Sequence, residues 1–108
     1  MIIVGTDAPV TARQLGRMAR RSALGLGRVG AIASHGSGDF VIAFSNSMER
    51  TDIDDVHLTP LFRGVVEATE EAIINSILRS HTIEGRDGNI RQGIPIDGLK
   101  EVLSDYSK

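Results

Sequence analysis

The chain has no cysteine, which removes disulfides, thiol catalysis and thiolate metal sites together and is compatible with any compartment. Long apolar runs are missing too. The longest, Met1 to Val4 and Phe40 to Phe44, are far too short to span a bilayer, and the N-terminus has no charged segment followed by a long apolar stretch. No signal peptide or anchor is expected, and the cytoplasm is taken as the expected compartment. Aromatics are scarce, with one tyrosine and three phenylalanines, so there is no platform on which bases could stack. A net charge of -2 gives no general attraction for nucleic acid, leaving only a local basic patch to argue for it.

What is present reads as one α/β domain rich in aliphatic residues: 41% of the chain is hydrophobic and 24% charged, which argues against disorder. The length of 108 residues suits a single domain, residues 1–108, with a core of marginal size. Met1, Ile2, Ile3 and Val4 form a β-favouring run that stops at Gly5 and predicts a buried strand. A chain rarely starts inside its core, so this run suggests a preceding segment.

Thr11 followed by Gln14 fits a capping box and opens a helix to about Leu26, with Leu15, Met18, Ala19, Ser22 and Leu26 as its buried stripe. Gly25, Gly27 and Gly30 then end it. Asp39 to Ser45 is saturated with apolar residues and predicts a central strand covered on both faces. Asn46 to Asp55, with Glu49, Asp52, Asp54 and Asp55, reads as an exposed acidic loop, and His57 with Leu58 as the start of a short strand.

Thr59 as N-cap and Pro60 at the first helical position predict the longest helix, to about Ser80, buried along Leu61, Val65, Ala68, Ala72, Ser76 and Ile77. Gly85, Arg86, Asp87 and Gly88 form a turn between short extended pieces, and Asp97 caps a last helix through Leu99, Val102 and Leu103.

The most specific local feature is His35, Gly36, Ser37, Gly38, Asp39, a serine between two glycines just before an apolar strand. If strand geometry already holds at Ser37, then Ser37 and Asp39 share a face while Gly38 and Phe40 point away. A carboxylate beside a hydroxyl orients it and can relay its proton. The plainer reading from spacing alone is a tight turn in which Asp39 bonds its own backbone.

Other candidates have plain alternatives. Arg13, Arg17, Arg20, Arg21 and Arg28 form a basic face that solvation or subunit contacts explain without nucleic acid. His35, His57 and His81 lack the spacing of a helix-based metal site, so no metal is expected. Glu67, Glu70 and Glu71 lie early in a helix, where acids complement its dipole, and Asn75 one turn on could face inward.

From end to end the chain resembles the DmpA-type family of L-aminopeptidase/D-esterases, D-aminopeptidases and β-peptidyl aminopeptidases. The resemblance is carried by Thr6-Asp7-Ala8-Pro9, Arg13-Gln14-Leu15, Ala19-Arg20-Arg21 and Gly25-Leu26-Gly27-Arg28. It continues through Gly36-Ser37-Gly38-Asp39 running into Ala43-Phe44-Ser45, then Leu61-Phe62, Ala68-Thr69-Glu70-Glu71-Ala72 and Gly85-Arg86-Asp87-Gly88. These blocks stand in the order and spacing of the family's C-terminal β chain.

The resemblance implies an αββα sandwich of the DmpA and ornithine acetyltransferase type, of which this chain supplies part. It implies a precursor that cuts itself in front of a serine or threonine, which then becomes the N-terminal nucleophile of the smaller chain. Matching Thr6-Asp7-Ala8-Pro9 to that pattern places the nucleophile just upstream of Met1, so the chain alone would be inactive.

Ser37 and Asp39 fall at the positions of the family's supporting serine and acidic residue. The implied reaction is hydrolysis of peptide or amide substrates at a free amino end, through an acyl-enzyme and with no cofactor. The implied partners are the α chain of the same precursor and further αβ units in an oligomer. The rival reading is a truncated relative without hydrolytic activity that serves as an assembly or binding module.

Overall fold

The computed structural model describes residues 1–49 and 53–107, so the acidic position Asp52 lies outside the described residues. The chain divides into two compact units, Met1–Ala72 and Ile73–Lys108.

The first unit is built on a β-α-β arrangement. Strand β1 (Ile2–Thr6) and strand β2 (Val41–Ser45) pair in parallel with Ile2 opposite Val41 and Thr6 opposite Ser45, and helix α1 (Ala12–Arg28) lies between them in sequence. Parallel strands need such a crossover because a tight turn cannot join them. Thr11 and Gln14 form the expected capping box: the Thr11 hydroxyl accepts from the Gln14 N–H at 3.3 Å and the Gln14 amide oxygen accepts from the Thr11 N–H at 2.9 Å. Helix α1 runs through Gly25 and Gly27 to Arg28 and ends where Gly30 takes a φ of +89°, a conformation natural to glycine.

Within this unit β2 is not a strand covered on both faces. The sheet has two strands, and along both the exposure alternates. Ile2, Val4, Val41 and Ala43 are half-buried on the helix side, while Ile3, Ile42 and Phe44 keep 62%, 54% and 49% exposure on the other. The apolar run therefore encodes a two-faced strand of which these residues cover only one face.

Helix α2 (Leu58–Leu78) begins earlier than Thr59 and Pro60 suggested. A short 3-10 turn, Asp55–His57, runs straight into it, and the Asp54 side chain caps that turn by accepting from the Val56 N–H at 3.3 Å. His57 is thus helical rather than the start of a strand. The buried side of α2 is Leu58, Val65, Val66 and Thr69, whereas Ala68, Ala72, Ser76 and Ile77 are exposed.

The core concentrates between α1 and α2, where Met18 and Leu58 are at most 2% exposed. Gly25 lets the helices touch: a Cβ there would sit 2.7 Å from both Thr69 Cβ and the Val66 carbonyl oxygen.

The second unit holds the end of α2, a hairpin of β3 (Ile83–Glu84) and β4 (Ile90–Arg91), and helix α3 (Ile96–Tyr106). Gly85–Gly88 makes the turn, with Asp87 and Gly88 at φ 60° and 72°. Pro95, not Asp97, is the N-cap of α3, and Asp97 sits in its first turn, where an acid complements the helix dipole. Asn75 is exposed, and no described side chain of this unit is fully buried, as expected of a segment below about 40 residues.

Asp55 ties the segment before α2 to α1. Arg13 Nη2 donates to both its carboxylate oxygens at 2.7 and 2.9 Å, Arg17 Nη1 to Oδ2 at 2.8 Å and Gln14 Nε2 to Oδ1 at 3.0 Å. The bond from Gln14, then that from Arg13 and the two guanidinium charges, hold the Asp55 carboxyl below its ordinary 3.8. A carboxyl depressed on folding contributes stability that is fully present above its unfolded pKa and is lost as pH falls through the folded value. Thermal midpoints recorded downward from pH 5 should therefore drop below about 3.8 more steeply in the natural protein than in Asp55→Asn. Equal slopes would show that this cluster does not respond to pH.

Candidate functional site

Ser37 and Asp39 precede β2 in a loop whose shape the glycines permit. The Ser37 N–H donates to the Ser34 carbonyl at 2.9 Å, closing a turn with Gly36 at φ +87°, a position where glycine is the residue of least strain. His35 is exposed within that turn. The strand does not extend back to Ser37, yet the two side chains meet: Ser37 Oγ donates to Asp39 Oδ2 at 2.9 Å. The turn found is closed by backbone from Ser34 to Ser37, and the Asp39 carboxylate takes the Ser37 hydroxyl, in place of the turn in which Asp39 would bond its own backbone.

Both residues are exposed. A carboxylate oriented on a hydroxyl can hold its proton in a fixed direction and take it up during a transfer, but in open water such a pair is weak because solvent screens the charge. Its chemistry needs a reacting group nearby and a cover that excludes water.

The strand register places the start of β1 next to this pair. The Ile2 N–H donates to the Phe40 carbonyl at 2.8 Å, so the N-terminal ends of β1 and β2 lie side by side with Asp39 one residue before the bonded position. Asp39 also lines a cavity of about 250 Å³ with Ala19, Arg20, Leu26 and Val41. Sequence reading gave Arg20 only to the basic face; the signal for its place here is that it directly follows Ala19 of the expected buried stripe, which lines the same cavity.

The other arginines on and after α1 have structural partners. Arg13 and Arg17 pair with Asp55, Arg28 with Glu70 at 2.9 Å, and the Arg21 guanidinium stacks 3.6 Å from the Phe62 ring centroid. Glu67 is tied to Arg63 one turn earlier at 2.7 Å, and that bond lowers its pKa. Among the described residues no group of His, Asp or Glu could hold a metal ion, and no helix is long and apolar enough to cross a membrane.

Comparison with known proteins gives one concordant result. The family described as Peptidase family S58 matches residues 1–91. Beta-peptidyl aminopeptidase BapA of Sphingosinicella xenopeptidilytica is 42% identical over 95% of the chain, and its namesake in Sphingosinicella microcystinivorans 34% identical over 100%. The chain spans 29% and 30% of those relatives' own length.

Among solved structures, the PH0078 protein of Pyrococcus horikoshii OT3 superposes with a TM-score of 0.87 at 41% identity, covering 99% of this chain and 33% of its own. The L-aminopeptidase D-Ala-esterase/amidase of Ochrobactrum anthropi, described as a new variant of the Ntn hydrolase fold, gives 0.83 at 30% identity, covering 98% of this chain and 33% of its own. The α/β fold is that of the DmpA-type sandwich expected from the sequence, of which this chain supplies a part.

Proposed function

This chain belongs to peptidase family S58, and we propose that it is the part of a self-processing serine-type aminopeptidase that carries the supporting pair Ser37 and Asp39. The reading rests above all on one observation. Because Ile2 bonds Phe40 in a parallel register, continuing β1 upstream leads its backbone past Phe40, Asp39 and Gly38. A serine or threonine preceding Met1 would emerge beside the Ser37–Asp39 pair.

In this reaction the upstream hydroxyl attacks the amide carbon of a substrate with a free amino end, and the amine departs with a proton. Water then hydrolyses the acyl-enzyme. The α-amino group of an N-terminal nucleophile has a pKa near neutrality and serves as base, while Ser37, held by Asp39, passes protons between nucleophile and leaving group. Cleavage before the nucleophile frees that amine, so processing and activity go together. The relatives' names point to residues with a β-amino group or to D-alanine amides as substrates.

The bare sheet face with Ile3, Ile42 and Phe44 supports association with the α chain of the same precursor, whose sheet would stack there, and with further αβ units. No cofactor, nucleic acid or membrane is part of this reading, and the cytoplasm is its compartment.

Expression of the complete gene followed by intact-mass analysis, N-terminal sequencing and assay on β-alanyl and D-alanyl amides tests it. The expected result is a small chain beginning with serine or threonine just before Met1, a larger companion, and release of the N-terminal residue. A single unprocessed chain without hydrolysis would instead identify a non-catalytic relative that keeps the fold as an assembly module.

A further inference from the structure

Two aspartates in the chain precede glycine, in Asp87–Gly88 and Asp97–Gly98, and no asparagine does. In such a pair the glycine backbone nitrogen can attack the side-chain Cγ of the aspartic acid, because glycine has no Cβ to crowd the attacking atom. A new N–Cγ bond closes a succinimide ring, and the carboxyl OH leaves with the amide proton as water. Water then reopens the ring at either carbonyl. Opening at the backbone carbonyl leaves the chain running through Cβ and Cγ, as an isoaspartyl residue with a free α-carboxylate. Mass and net charge are unchanged, since one water is released and one taken up.

The fold treats the two pairs differently. Asp87 and Gly88 stand at the tip of the β3–β4 hairpin, both exposed, with φ at 60° and 72°. The space beside the Gly88 Cα is open, with nothing within 4 Å of where a Cβ would sit. The Asp87 carboxylate accepts from Arg86 Nε at 3.2 Å, but the two side chains are 73% and 92% exposed, and a contact so open to water holds the carboxylate only weakly. Bringing the Gly88 nitrogen to Cγ means rotating ψ of Asp87. The backbone bond that spans this rotation is long, from the Asn89 N–H to the Arg86 carbonyl at 3.3 Å, and so is a weak restraint. The left-handed region is also unfavourable for a residue with a side chain. An isoaspartyl residue, with one more rotatable backbone bond, no longer has to occupy it.

Asp97 and Gly98 lie in the first turn of α3. There the Leu99 N–H donates to the Pro95 carbonyl at 3.0 Å across the pair, and Lys100 Nζ reaches Asp97 Oδ1 at 3.5 Å. The same rotation at Asp97 breaks the opening turn of a helix.

We propose that Asp87–Gly88 is a site of spontaneous isoaspartate formation in the folded protein, and that α3 protects Asp97–Gly98 from the same chemistry. The inference stands whether or not the complete protein hydrolyses amides.

Ageing the complete natural protein at neutral pH and body temperature tests it. Isoaspartate is quantified with protein isoaspartyl methyltransferase as the probe, which moves a labelled methyl group from S-adenosylmethionine to the free α-carboxylate, and its position is read by peptide mapping. In the folded protein residue 87 should carry at least about tenfold more isoaspartate than residue 97, the rate ratio set by one hydrogen bond that only the helix must break. In guanidinium chloride the two pairs should age at comparable rates, because no fold separates them. An unmodified residue 87 in the folded protein, while the unfolded chain ages at both pairs, would show that the hairpin shields it and would overturn the proposal. Equal ageing of both pairs in the folded protein would overturn it as well, since the structure would then not direct the reaction.

Discussion

On the aminopeptidase reading proposed above, Asp39→Asn in the complete protein should lower kcat for amide hydrolysis by about 100-fold or more, within the range usual for a group that moves a proton in the transition state. Asparagine keeps the volume and can still accept the Ser37 hydroxyl bond, now 2.9 Å long, but it cannot take up charge or a proton. Ser37→Ala should do comparable damage by removing the hydroxyl that Asp39 holds.

The double variant should be little worse than either single one, since groups that act as a unit lose their joint effect at the first substitution. Both side chains are exposed, so neither change should disturb the fold, and circular dichroism would check that. A KM effect with kcat intact would make the pair a binding element. Single variants turning over within about twofold of the natural protein would remove it from the mechanism, because general acid–base groups do not leave so small a trace.

The sequence made the local chemistry legible where one residue type has one use. Thr11 with Gln14 has little to do other than cap, and Gly36 flanking Ser37 reads as a turn; both are found. Reading was least secure wherever a partner distant in sequence decides. Gln14 was legible as a capping residue, but its burial to 2% exposure follows from bonds to Ile53 and Asp55, which no local pattern announces.

The buried side of α2 shifted for a similar reason. Its long apolar content offers several stripes, and the one taken, through Val65, Val66 and Thr69, is chosen by where Gly25 of α1 permits close approach. Saturation of β2 with apolar residues signalled the strand but not its exposure. One cover is not supplied within Met1–Ala72, where Ile42 and Phe44 remain half open to water.

That same contact yields the clearest prediction about stability. In the complete protein Gly25→Ala should lower the thermal midpoint, although alanine is the better helix former by about 1 kcal/mol. The added Cβ would lie 2.7 Å from Thr69 Cβ and from the Val66 carbonyl oxygen, and 3.0 Å from Thr69 Cγ2. Two of these atoms cannot rotate away, so the helices must separate, and overpacking of this kind costs about 1–3 kcal/mol.

Thr69→Ala should not rescue the variant, because it removes only the Cγ2 contact and leaves both shorter ones. Gly27→Ala serves as the control on the same helix: nothing lies within 4 Å of its would-be Cβ, so propensity acts unopposed and the midpoint should rise. Opposite signs at two glycines so close on one helix would show that packing, rather than helix propensity, selects glycine at position 25. If Gly25→Ala melted at or above the natural protein, α1 and α2 could separate freely, and the close approach would not be what fixes the buried side of α2.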